Sequence, residues 1–171
     1  MSLRAAVLLP AAGASLAALL ACANGPPPRM EGPTPHAGEG ESLAIDPLYE
    51  NLYSGIEEPR RALIRSEAEW RDIWIELTGA QEPAVEPPAV DFQRRAVVVA
   101  AMGSRPTGGY TIRVASARMA GDRLAVEVVE TSPGPTCLLT QAFTAPAIAV
   151  AVEGPPAEVA FVDREETHSC E

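Results

Sequence analysis

The chain has 171 residues, with 13 Lys+Arg against 23 Asp+Glu and a formal net charge of −10. Every basic residue is an arginine, so neither a lysine Schiff base nor a Ser-Lys pair can form. An acidic surface repels phosphate backbones and anionic lipid headgroups alike, which argues against nucleic acid as a partner.

In chain order, a cationic start at Arg4 precedes an apolar run from Ala5 to Ala21, interrupted by Pro10 and Gly13. That pattern reads as a secretory signal over 1–21 rather than a membrane span. The run closes on Leu19-Leu20-Ala21-Cys22. An ordinary signal with an incidental cysteine is one reading of this closure. The other is that it resembles the lipobox of bacterial lipoproteins, which implies removal of 1–21, a diacylglycerol on the Cys22 sulfur and an acylated new amino terminus. A lipid anchor with two or more chains holds stably at a membrane where a single chain does not. The expected location is therefore the bacterial cell envelope. Ala23 and Asn24 place no aspartate after Cys22, which resembles outer-membrane sorting if the cell is Gram-negative.

Residues 22–44 are crowded with proline and glycine and poor in apolar side chains, so they are expected to be a disordered tether. Its His36 reads as a solvated linker histidine. In an exported protein the two remaining cysteines, Cys137 and Cys170, read as a disulfide.

Residues 45–171 suit one folded domain. Leu48 to Ile56 and Ala62 to Arg65 read as short strands. Ser66 followed by Glu69 forms a capping box, and Trp70, Ile73, Trp74 and Leu77 then fall on one helical face that Gly79 ends. Both tryptophans are expected against a sheet, a ligand platform being the alternative. Ala96 to Met102 is a continuous apolar run, short enough for a strand covered on both faces. Tyr110 to Val114 and Arg123 to Val128 flank Gly121-Asp122 as a hairpin. Ala147 to Val152 is a further strand, turned by Gly154-Pro155-Pro156 into Val159 to Val162. The expected fold class is α+β, a mainly antiparallel sheet with one amphipathic helix packed on a face.

Chemistry is sparse. His36 and His168 are the two histidines, and no Gly-x-Ser-x-Gly or His-Glu-x-x-His occurs. Abundant carboxylates leave a paired-carboxylate hydrolase open, yet most glutamates fall at element exteriors. The tail Glu165 to Cys170 has metal-ligand residue types without a strong ligand spacing, and an oxidised Cys170 cannot ligate. It reads as a frayed terminus stapled to the domain. The expectation is no enzyme, no cofactor and no metal site, an undetected enzyme or metal binder being a further alternative. Arg105, Pro106, Thr107, Gly108, Gly109 and Tyr110 form the best candidate for a partner-binding loop. Its glycines fit a structural turn, while Arg105 and Tyr110 fit interface anchors.

Trp70-Arg71-Asp72-Ile73-Trp74, Val90-Asp91-Phe92, Gly103 with Arg105 to Ile112, Leu124 to Glu130, and Pro146 before an apolar strand together resemble the PrcB C-terminal domain family. The likeness runs from about Ala96 to Val162, with the helix and Val90-Asp91-Phe92 as an accompanying amino-terminal part. It implies a non-catalytic envelope lipoprotein that binds or stabilises another envelope protein, and the family's name implies a protease complex. A fainter likeness of Arg105 to Tyr110 is to the loop of chagasin-type protease inhibitors, small β-sandwiches. Here arginine replaces their asparagine and no tryptophan follows the tyrosine.

Overall fold

The computed structural model describes residues 40–79 and 85–170. The chain divides into two units, Met1–Gly32 and Pro33–Glu171, and every described residue belongs to the second. The signal, Cys22, His36 and most of the expected tether lie outside the described residues. No helix among the described residues is long and apolar enough to cross a membrane.

Among the described residues, eight strands and one helix follow one another as β1 (Glu41–Ser42), β2 (Ile45–Asn51), β3 (Arg60–Ile64), α1 (Glu67–Thr78), β4 (Arg95–Ala101), β5 (Thr111–Ala120), β6 (Arg123–Pro133), β7 (Ala147–Glu153) and β8 (Glu158–His168). They form two four-stranded sheets, ordered β1-β5-β6-β8 and β2-β7-β4-β3. The α+β class with one helix holds, but the strands divide between two stacked sheets.

Strand β4 shows why. Successive side chains of a strand point to opposite faces, and β4 and β7 are buried on both. Val97, Val99, Ala101, Ala147, Ala149 and Ala151 share one core with Trp70, Ile73, Trp74 and Leu77 of α1. Ala96, Val98, Ala100, Ile148, Val150 and Val152 share the other core with Ile112, Leu124, Val126 and Val128 of the second sheet. The described residues thus form three layers: helix, sheet, sheet. Alanines at four of the six helix-facing positions leave room for two indole rings, a large-to-small match that close packing requires.

The helix forms as its sequence dictates. Ser66 accepts from the Glu69 N–H while the Glu69 carboxylate accepts from the Ser66 N–H, and Gly79 caps the far end in the left-handed conformation. These bonds, the Arg65 N–H first among them, hold the Glu69 carboxyl below the usual glutamate range. Trp70 and Trp74 are buried with rings 5.2 Å apart, edge to face. Their indole N–H groups donate to the carbonyls of Pro88 (2.9 Å) and Val85 (2.7 Å), pinning the chain beyond the helix. They are core residues and not a ligand platform. Tyr49 on β2 donates to the Leu77 carbonyl at 2.6 Å, and burial pushes its phenol above the usual range.

Two expectations need correction. The stretch 22–44 is not tether throughout: β1 pairs with Arg118 and Met119 of β5, and Leu43 packs against the sandwich core, so ordered structure begins before Ile45. The expected turn at Gly154-Pro155-Pro156 is present between β7 and β8. It carries the chain from one sheet to the other, where β8 runs parallel to β6 from Arg123↔Glu158 to Pro133↔His168. For that reason the tail is not frayed; Glu165 to His168 are ladder residues of β8.

Candidate functional site

Seven strand ends meet at one end of the sandwich. The loop 102–110 leaves β4 there and enters β5, and the segment 134–146 leaves β6 there and enters β7. The two are stitched together. Arg105 and Thr144 exchange backbone hydrogen bonds of 2.7 and 3.0 Å, and the Gly108 N–H donates to the Thr140 carbonyl at 3.1 Å. Thr144 is buried, and its hydroxyl donates to the Thr107 carbonyl at 2.9 Å. On the other flank, the Ser104 N–H donates to the Glu57 carbonyl at 2.7 Å.

This stitching accounts for the paired glycines. A Cβ on Gly108 would lie 2.4 Å from the Thr140 Oγ1, and Gly109 has φ 90°, a conformation that side-chain-bearing residues rarely adopt. The glycines therefore serve the turn. Their exposed neighbours on the loop are Ser104 and Pro106.

Arg105 and Tyr110 engage each other. The guanidinium stands 5.7 Å from the ring centroid and pairs with Glu130 at 3.6 Å. Both side chains are half-buried, and Tyr110 packs on the sandwich core. Glu130 also binds Arg61 of β3, which donates in addition to Asp163 of β8 and to the carbonyls of Arg60 and Ala101. A polar cleft of about 270 Å³ borders this network. Its arginines are already paired, Arg60 with Glu76 and Arg164 with Glu127 and Glu166, so the cleft holds little uncompensated charge for an anion.

Four large apolar side chains are exposed at this end, among exposed polar neighbours such as Thr140 and Gln141. Leu138 is fully exposed and Phe143 is 77% exposed. Leu52 and Tyr53 are exposed on an adjoining segment, whose backbone is bonded to Ala145 through Leu52 (2.7 Å) and Ser54 (3.0 Å). Of these four, Leu52 and Tyr53 fall in the Leu48 to Ile56 stretch expected as a strand, and Leu138 and Phe143 were not singled out. The stretch from Cys137 to Phe143 has neither a two- nor a 3.6-residue period. Its one signal was the presence of three large apolar side chains between Pro135 and Pro146.

The disulfide closes the same end. Cys137 and Cys170 are bonded, with Cα atoms 4.9 Å apart, and the Gly134 N–H donates to the His168 carbonyl at 2.8 Å. The imidazole Nε2 of His168 lies 3.2 Å from the Cys170 sulfur and 3.9 Å from that of Cys137.

Residues 96–153 match the family model described as PrcB C-terminal. The recognition made from the sequence is borne out over that stretch. The matched stretch runs from β4 through β7, so it contains the loop 102–110, the segment 134–146 and the hairpin. Helix α1, strand β8 and Cys170 lie beyond it. Neither a curated protein nor a solved structure matches the chain.

Proposed function

We propose that this is a lipid-anchored envelope protein, non-catalytic, whose sandwich domain binds and stabilises another exported protein. The PrcB C-terminal match supports an accessory role in a protease complex, which makes a protease the partner of choice. The observation that carries the binding role is the exposure of Leu52, Tyr53, Leu138 and Phe143 on segments hydrogen-bonded to one another through Ala145 and Thr144 at one end of the domain. Exposed aromatic and aliphatic side chains clustered on a rigid support are what protein interfaces use as anchors. The loop Arg105 to Tyr110 contributes as the scaffold of that surface, with Ser104 and Pro106 at its rim.

The Cys22 lipid would place the domain at the membrane surface. A tether of some twenty residues would hold it at a root-mean-square distance on the order of 25 Å. The test is crosslinking and pull-down of the lipidated protein from envelopes, beside a Leu138→Asp/Phe143→Asp double variant. Both side chains are solvent-exposed, so the variant is expected to fold normally. Capture of one exported protein by the parent and its loss in the variant is the expected result. An empty parent pull-down, or equal capture by both, contradicts the proposal.

A further inference from the structure

We infer that Cys137, His168 and Cys170 become a zinc site when their disulfide is reduced. The three potential ligand atoms lie within 4.8 Å of one another, contributed by the 134–146 segment and the end of β8. Zinc bonds of about 2.3 Å to sulfur and 2.0–2.1 Å to nitrogen give tetrahedral edges of about 3.6 Å between sulfur and nitrogen and about 3.8 Å between sulfurs. The two sulfur–nitrogen separations, 3.2 and 3.9 Å, already bracket that edge. Only the sulfur–sulfur edge must open, which is what reduction does.

The fold places the ligands before the metal arrives. His168 is paired with Pro133 at the last position of the β6–β8 ladder, and its carbonyl accepts from Gly134. Cys137 donates its own N–H to the Gly134 carbonyl at 3.2 Å. A β-ladder and a tight turn thus hold two ligands that are 31 residues apart in sequence. Cys170 and His168 are exposed and Cys137 is half-buried, so a reductant and an ion can both reach the site.

The chemistry balances with a dithiol as reductant. Its two thiolate sulfurs attack in turn, it leaves as a disulfide, and its two electrons and two protons pass to Cys137 and Cys170. Zinc then displaces the two thiol protons, His168 binds as the neutral imidazole, and a water takes the fourth position. Two thiolates and one imidazole form a donor set suited to zinc. This site is independent of the partner role proposed above.

The full chain carrying Cys22→Ser, so that only two cysteines remain, is reduced by a phosphine that leaves as its oxide. It is then titrated with zinc against a chromophoric chelator. One equivalent is expected to bind to the reduced form and none to the oxidised form. His168→Ala is expected to weaken binding more than about tenfold, because even loss of a residue behind a ligand costs that much. Cobalt in place of zinc is expected to give thiolate charge-transfer absorption. Equal affinity of reduced and oxidised forms, or of His168→Ala and parent, overturns the inference. So does loss of the β-sheet circular dichroism on reduction, since the site depends on the ladder that sets His168 beside Cys137.

Discussion

Arg61 and Glu130 are joined at 2.5 Å across the two sheets, one from edge strand β3 and the other from β6. Each side chain is less than one-fifth exposed, and Glu130 carries Arg105 on its second oxygen. The pair therefore couples the sheet-to-sheet contact to the loop that scaffolds the apolar end. Arg61→Ala should destabilise the domain by about 2–3 kcal/mol, because it leaves a largely desolvated carboxylate short of its main partner. A smaller loss is expected for Arg61→Met/Glu130→Leu, which removes both charges. Urea denaturation of the two variants measures this; a larger loss in the double variant would contradict it.

Trp74→Ala should cost about 3–5 kcal/mol. The ring fills the space above the alanines of β4 and β7, stacks edge-on to Trp70 and Tyr49, and holds the Val85 carbonyl. The expected outcome is a chain largely unfolded at ambient temperature, read by circular dichroism. A stable folded Trp74→Ala protein would show that the indole is not a core group.

The capping box gives an acid-side prediction with a definite sign. The Glu69 carboxyl is held below its ordinary range in the folded chain, so its contribution is present above the unfolded glutamate value and lost as pH falls through the folded one. Ser66→Ala should lower stability by about 1 kcal/mol at neutral pH. Glu69→Gln should flatten the acid limb of the stability curve relative to the parent. Thermal melts of the three proteins from neutral to acidic pH read both effects; an unchanged acid limb in Glu69→Gln would count against the assignment.

Tyr49 predicts the opposite limb. Burial favours its neutral form, so its contribution is complete below the ordinary tyrosine value of about 10 and is lost as pH rises through the raised folded value. Tyr49→Phe, which cannot ionise, should be less stable at neutral pH for want of the Leu77 bond, yet lose less on alkaline titration. Stability measured on both sides of that value checks the crossing trend.

Much of the fold was legible because local chemistry and burial agreed. Ser66, Glu69 and Gly79 bounded the helix, and the unbroken Ala96 to Met102 run announced a strand covered on both faces. What stayed hidden was non-local. Nothing in Gly154-Pro155-Pro156 distinguishes a hairpin turn from a crossing between sheets, since both need the same chain reversal. β1 is two residues long, too short for a period to register. Of the candidate site, the Thr107 to Tyr110 motif drew attention to the end of the sandwich where the proposed surface lies. Its glycines, however, answer to Thr140 and to backbone conformation, while the exposed groups Leu138 and Phe143 sit in an aperiodic segment. Non-local bonds, the Arg105–Thr144 bridge and the Gly108–Thr140 bond among them, bring that segment alongside.

The anchor can be tested apart from the domain. The Cys22 sulfur closing an apolar leader predicts palmitate labelling of the parent and sedimentation with membranes. Cys22→Ser should abolish the label and leave the unprocessed chain behind. Labelling that persists in Cys22→Ser would contradict the lipidation proposal.

The central claim, that the apolar end of the sandwich docks another exported protein, is tested most directly by site-specific photocrosslinking in living cells. A photoreactive residue would replace Leu138 in one strain and Asp122, at the hairpin turn at the opposite end, in another. One discrete adduct is expected from position 138 and none from position 122. Absence of an adduct at 138, or the same adduct from both positions, would contradict it.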